Sequence, residues 1–151
     1  MKKRLIKKHL TKHKKTFLSL FNDKNLQKKI EDVTDLLINT FSNSNKLMIA
    51  GNGGSAADAQ HIAAELIGKL NLKRKALPAI ALNTDTSILT SISNDYHFSE
   101  IFSRQIEGIG KIDDIFLGIT TSGKSKNILK AIKSAKDKKI KVIILTGKKG
   151  V

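Results

Sequence analysis

Apolar residues recur at intervals of three and four through the first 42 positions. Leu5, Ile6, Leu10, Phe17, Leu18, Leu20 and Phe21 mark one amphipathic helix over 2–21. Leu26, Ile30, Val33, Leu36, Leu37, Ile38 and Phe41 mark a second over 25–42. The rhythm then changes. Short apolar runs bounded by polar or glycine-rich turns predict four strands, at 46–50, 78–82, 114–119 and 141–145. Helix-forming stretches separate them at 56–69, 85–93, 98–107 and 125–137, with Ser55 and Ser125 as N-caps. Gly147 to Gly150 reads as a loop.

Strands that alternate with helices form a parallel sheet through right-handed crossovers. The expected fold is α/β: an open, doubly wound parallel sheet over 46–151 preceded by a helical segment over 1–45, in one structural unit. Ligands in such sheets bind outside the carboxyl ends of the strands, near a topological switch point. A parallel strand at 141–145 calls for a covering helix, so the reading expects a chain truncated relative to a complete domain.

At 151 residues there is room for a single core. No apolar run approaches the roughly 20 residues of a membrane helix. The basic N-terminus is not followed by an apolar signal region, so a cytoplasmic protein without membrane partners is expected. The absence of cysteine excludes disulfides, thiolate metal sites and thiol nucleophiles. The net charge of +15 is concentrated at one end: residues 1–29 hold eleven Lys or Arg against Asp23 alone. Lys2, Lys3, Arg4, Lys7, Lys8, Lys12, Lys14 and Lys15 could contact nucleic-acid phosphates. The run lacks interleaved aromatics and is mostly lysine, so it reads as a solvated helix face, and a nucleic-acid partner is not expected.

Candidate chemistry lies in the polar loops. Gly51-Asn52-Gly53-Gly54-Ser55-Ala56 fits the dinucleotide pattern G-x-G-x-x-A, but the acid that should hold a ribose is about ten residues too far along. Gly118 to Ser125 fits G-x-x-x-x-G-K-S literally, with Lys124 and Ser125 in the phosphate and magnesium roles. No acid follows the later strand at Leu145-Thr146-Gly147 to hold the metal of a P-loop nucleotide site. A third reading takes both loops together. Amides at two helix N-termini, with the hydroxyls of Thr120, Thr121, Ser122 and Ser125, would bind a phosphate on a small polar ligand. His61 and Glu65 share a helical face one turn apart, with Asp58 one turn before His61. They suit metal binding or proton transfer beside that loop, or a plain surface ion pair. Asn94 and Asp95 suit sugar hydroxyls or a turn at a helix end.

Together these motifs resemble the phosphoheptose isomerases (sedoheptulose 7-phosphate isomerases) of the sugar-isomerase (SIS) domain family. The residues that carry the resemblance are Gly51 to Glu65, Ser93-Asn94-Asp95, Phe98 to Arg104 and Thr121 to Ser125. The resemblance implies a flavodoxin-like SIS fold. It also implies aldose–ketose exchange between sedoheptulose 7-phosphate and D-glycero-D-manno-heptose 7-phosphate through an enediol(ate), in heptose and lipopolysaccharide precursor synthesis. It assigns Asn52, Gly53, Gly54 and Ser55 to the substrate site together with Asn94, Asp95, Thr120, Thr121, Ser122 and Ser125. Glu65 becomes the catalytic carboxylate, shielded from water. His61 and Glu65 become two zinc ligands, completed in the family by a Gln and a His on a later helix that this chain lacks. It also implies a homotetramer with sites at subunit interfaces, built on the two N-terminal helices. A non-catalytic SIS adaptor of the replication-initiator-associating type is the alternative; it shares the Ala81-Leu-Asn-Thr-Asp85 run and lacks the glutamate at position 65.

Overall fold

The computed structural model describes residues 2–147. Two helices open the chain, α1 (Lys2–Asn22) and α2 (Lys24–Ser42). Then follow β1 (Leu47–Gly51), α3 (Gly54–Ile67), β2 (Ala79–Ala81) and α4 (Thr86–Asp95). A 3-10 turn (Phe98–Glu100), α5 (Ser103–Ile109), β3 (Ile115–Thr120), α6 (Lys126–Asp137) and β4 (Lys141–Thr146) complete the order. The predicted loop at 147–150 lies outside the described residues apart from Gly147. The chain divides into two compact units between Leu36 and Leu37.

In the first unit, Asp23 caps the start of α2 by accepting from Leu26 N–H at 2.9 Å. Leu5, Ile6, Leu10, Phe17 and Phe21 are exposed on α1.

The second unit is the α/β layer. Its sheet has the order β2-β1-β3-β4, with every neighbouring pair parallel. This is the flavodoxin-like winding, and it puts the switch point between β1 and β3. Side chains alternate across the sheet. Met48 and Ala50 of β1 and Phe116 of β3 face one layer, where they meet Phe102 just before α5, Ile106 of α5 and Ile128, Ala131 and Ala135 of α6. α3 packs on β1 and β2 and buries Ala59 and Ala63. Complete burial of Phe102 and Phe116 contributes roughly 2–3 kcal/mol each.

The expected elements are present with shifted edges. α3 begins two residues earlier than predicted, with Gly53 at the N-cap position (φ +55°) and no side-chain cap, so Ser55 lies inside the helix and caps nothing. The cause is close packing at Gly51: a Cβ there would lie 2.5 Å from the Ser55 carbonyl oxygen. Ser125 does hold the N-cap position of α6, but its hydroxyl bonds elsewhere. The single helix predicted over 98–107 is two pieces. Ser103 Oγ closes the break by donating within the Glu100 residue, to its carbonyl at 3.1 Å or its carboxylate at 3.0 Å.

Candidate active site

The loops after β1 and β3 meet at the carboxyl edge of the sheet, on either side of the switch point. Gly51 ends β1, and the turn of Asn52, Gly53 and Gly54 leads into α3. Two asparagines hold this turn. Asn83, just past β2, accepts from Gly51 N–H at 3.3 Å and donates to the Gly51 carbonyl at 2.8 Å. Asn127, at the second position of α6, accepts from Asn52 Nδ2 at 2.9 Å and donates to Asn52 Oδ1 at 2.8 Å. The turn after β1 is therefore tied to the helix after β3.

The loop after β3 is shaped by its own hydroxyls. Thr120 is the last residue of β3 and is buried; its Oγ1 and Ser125 Oγ share a hydrogen bond of 3.2 Å. Ser122 Oγ accepts from Lys124 N–H at 3.2 Å, and Gly123 turns the chain at φ +68°. Thr121 and Ser122 are exposed, as is Lys124. Gly147 closes the far side: a Cβ there would come within 2.6 Å of the Thr121 carbonyl oxygen.

A cleft of about 550 Å³ opens beside these loops. Asn52, Ser125, Lys126, Asn127 and Lys130 line it, together with His97, Phe98 and Ser99. The size suits a small polar ligand. Lys130 is ion-paired with Glu100. The lysine beside it, and Ser103 as a donor, hold the Glu100 carboxyl below its ordinary range.

The remaining candidates are not among the residues that line this cleft. Asn94 and Asp95 end α4, exposed, with Asn94 Nδ2 donating to Asp95 Oδ1 at 2.9 Å; the cleft lining begins two residues later, at His97. His61 and Glu65 lie in the second half of α3, away from its start at the sheet edge of the loops. α3 starts at that edge and runs back across the sheet, so its eleven steps from Gly54 to Glu65 carry the carboxylate about 16 Å along the helix axis. Nor is Glu65 shielded in one chain: its side chain is 37 % exposed and that of His61 77 %. The two face each other, with Nε2 and Oε1 3.6 Å apart. Among the described residues no group of three or more His, Cys, Asp or Glu gathers around a common point. Arg74 fixes the end of α3, donating to the carbonyls of Glu65 and Leu66 at 2.8 Å each.

Neither nucleotide reading gains from this geometry. Asp85, the acid nearest the end of β2, accepts from Ile88 N–H at 2.9 Å and caps α4. No acid ends β4 among the described residues.

Asn83, Asn127, Arg74 and His97 escape the sequence motifs. Asn83 and Asn127 had one available signal, polar residues just past the carboxyl end of a parallel strand or in the first turn of the following helix.

No described helix is long and apolar enough to cross a membrane. The profile of the SIS domain family matches residues 13–147. A phosphoheptose isomerase of Sulfurimonas denitrificans is 49 % identical over 148 residues, which is 98 % of this chain and 76 % of that protein. One from Helicobacter pylori is 49 % identical over 146 residues, covering 97 % of this chain and 75 % of that one. Two solved structures superpose closely. A phosphoheptose isomerase from Neisseria gonorrhoeae gives a TM-score of 0.91 at 37 % identity, covering 99 % of this chain and 77 % of that one. One from Francisella tularensis gives 0.93 at 36 % identity, covering 100 % and 78 %. With the fold, the winding and the loops in agreement with these relatives, the chain belongs to the phosphoheptose isomerase family of SIS-domain proteins.

Proposed function

We propose that this chain interconverts sedoheptulose 7-phosphate and D-glycero-D-manno-heptose 7-phosphate as a cytoplasmic enzyme of heptose precursor synthesis. The observation that carries the reading is the pairing of the Gly51–Gly54 turn with the Thr120–Ser125 loop across the switch point, in a chain 49 % identical to phosphoheptose isomerases. Thr121, Ser122 and Ser125, with the amides at the start of α6, bind the phosphate. Thr120 props Ser125 from beneath. Asn52, Gly53, Gly54 and Ser55 face the sugar, and Asn94 and Asp95 hold its hydroxyls.

Glu65 is the base. It takes the proton from C1 of the ketose to give the enediol(ate) and returns it to C2, while the O1 hydroxyl proton passes to O2, to give the aldose. Because α3 carries Glu65 away from its own phosphate loop, the carboxylate serves a site in a neighbouring subunit of a homotetramer, where contact with that subunit removes it from water. His61 and Glu65 offer an imidazole nitrogen and a carboxylate oxygen on one helix face, a donor pair that fits half of a tetrahedral zinc site. The other ligands come from outside this set. Bound zinc would polarise the sugar oxygens at the reacting carbons.

Glu65→Gln keeps the side-chain size and removes the basicity. Turnover should fall by roughly 10²-fold or more, while calorimetry should find phosphosugar binding nearly intact. Unchanged turnover in the mutant would remove Glu65 from the reaction, whereas a wild type without turnover would favour a non-catalytic adaptor.

A further inference from the structure

The Asn52–Asn127 pair is an amide dimer between the turn after β1 and the first turn of α6. Asn127 is 2 % exposed. Its Oδ1 accepts twice, from Asn52 Nδ2 and from Ile128 N–H, the latter at 2.9 Å. Its Nδ2 donates to Asn52 Oδ1. Asn52 is half-buried and lines the cleft with Asn127. An amide offers two N–H donors and two acceptor lone pairs. The dimer uses one of each on Asn52 and leaves one of each free. Because both ends of the amide are bonded, its orientation is fixed as well as its place: a flip would set donor against donor and acceptor against acceptor. The Ile128 N–H bond fixes the orientation of Asn127 in turn, since only an oxygen can accept there.

We infer that Asn127 is a positioning residue for sugar recognition. It presents the Asn52 amide to the cleft with one defined donor and one defined acceptor, and so makes the sugar end of the site specific for a hydroxyl pair of matching polarity. This rests on the proposed function, which places the sugar at Asn52. The Asn127 side chain spends both acceptor lone pairs and one donor on Asn52 and Ile128 N–H, so its loss should fall on the sugar and spare the anion.

The experiment compares wild type, Asn127→Ala, Asn127→Ser, Asn52→Ala and the Asn52→Ala/Asn127→Ala double variant. Calorimetry with sedoheptulose 7-phosphate and with inorganic phosphate gives the affinities, and NMR follows exchange of the side-chain amide protons of residue 52. Each Asn127 variant should bind the sugar phosphate about tenfold more weakly, the value of one hydrogen bond, and inorganic phosphate within about twofold of wild type. The double variant should bind no more weakly than Asn52→Ala alone, because the second residue acts through the first. The Asn52 amide should exchange slowly in wild type and fast in both Asn127 variants. Equal losses for the two ligands, additive losses in the double variant, or an unchanged exchange rate would overturn the inference. If the wild type binds no sugar phosphate, the proposed function fails by itself, and the exchange rates still decide whether Asn127 fixes Asn52. If Asn127→Ala does not fold, Asn127→Ser, which is neutral, suits the first turn of a helix and is too short to reach the Asn52 amide, carries the same comparisons.

Discussion

Asp114 is 1 % exposed and sits at the amino end of β3, opposite the cleft. Its carboxylate accepts from Lys46 N–H at 2.9 Å, Lys46 Nζ at 2.5 Å and Lys111 N–H at 2.8 Å. Burial pushes this carboxyl up, but the bonds from Lys46 and Lys111 together outweigh it and hold the group below the ordinary aspartate value. A carboxyl depressed by folding stabilises the protein above its unfolded value, and that stability is lost as pH falls through the lower folded value. Asp114→Asn should therefore cost roughly 3 kcal/mol in denaturant unfolding at neutral pH. It should also flatten the loss of stability below about pH 4; an unchanged acid limb would contradict this account. At the same scale the loop after β3, proposed to bind the phosphate, offers both hydroxyls and a lysine. Ser122→Ala with Ser125→Ala should weaken phosphosugar binding roughly 10²-fold, and Lys124→Ala should leave it within about twofold. Magnesium-dependent ATP binding that vanishes in the Lys124 variant would restore the P-loop reading.

Among the elements, periodicity located every helix and strand to within a few residues, because α2, α6 and the buried strands carry strong apolar patterns. What it missed arose from packing. The helix start at Gly54 follows from backbone approach at Gly51, which no propensity encodes. The break between the 3-10 turn and α5 depends on the Ser103 hydroxyl reaching back to Glu100. The loops of the site were legible because polar residues at the carboxyl ends of parallel strands have a positional meaning. Asn83 and Asn127 were not, since their partners lie 32 and 75 residues away in the chain. The position of Glu65, eleven residues along α3 from Gly54, follows from the rise of the helix and not from motif spacing. Gly51→Ala tests the packing argument. The new methyl would meet backbone at 2.5 Å, so thermal or denaturant unfolding should register a loss of about 2 kcal/mol, and phosphosugar binding should weaken as α3 is displaced. A neutral substitution would mean that the turn has slack.

At the scale of the molecule, the winding of the sheet decides which residues can cooperate. Order β2-β1-β3-β4 brings the two loops together within one chain, and the right-handed crossover through α3 sends His61 and Glu65 away from them. The chain matches about three quarters of the length of its relatives, and the match includes both halves of this arrangement.

The direction of α3 also has a genetic reading. If base and phosphate loop of one site come from different subunits, two chains that are each dead can repair one another. A Glu65→Gln chain still offers an intact loop, and a Ser122→Ala/Ser125→Ala chain still offers an intact carboxylate. Unfolded together and allowed to reassemble in equal amounts, they should form roughly a quarter of their sites from two sound halves and recover turnover in that proportion, whereas either chain reassembled alone should stay inactive. A mixture as inactive as its components would place both halves of the site on one chain.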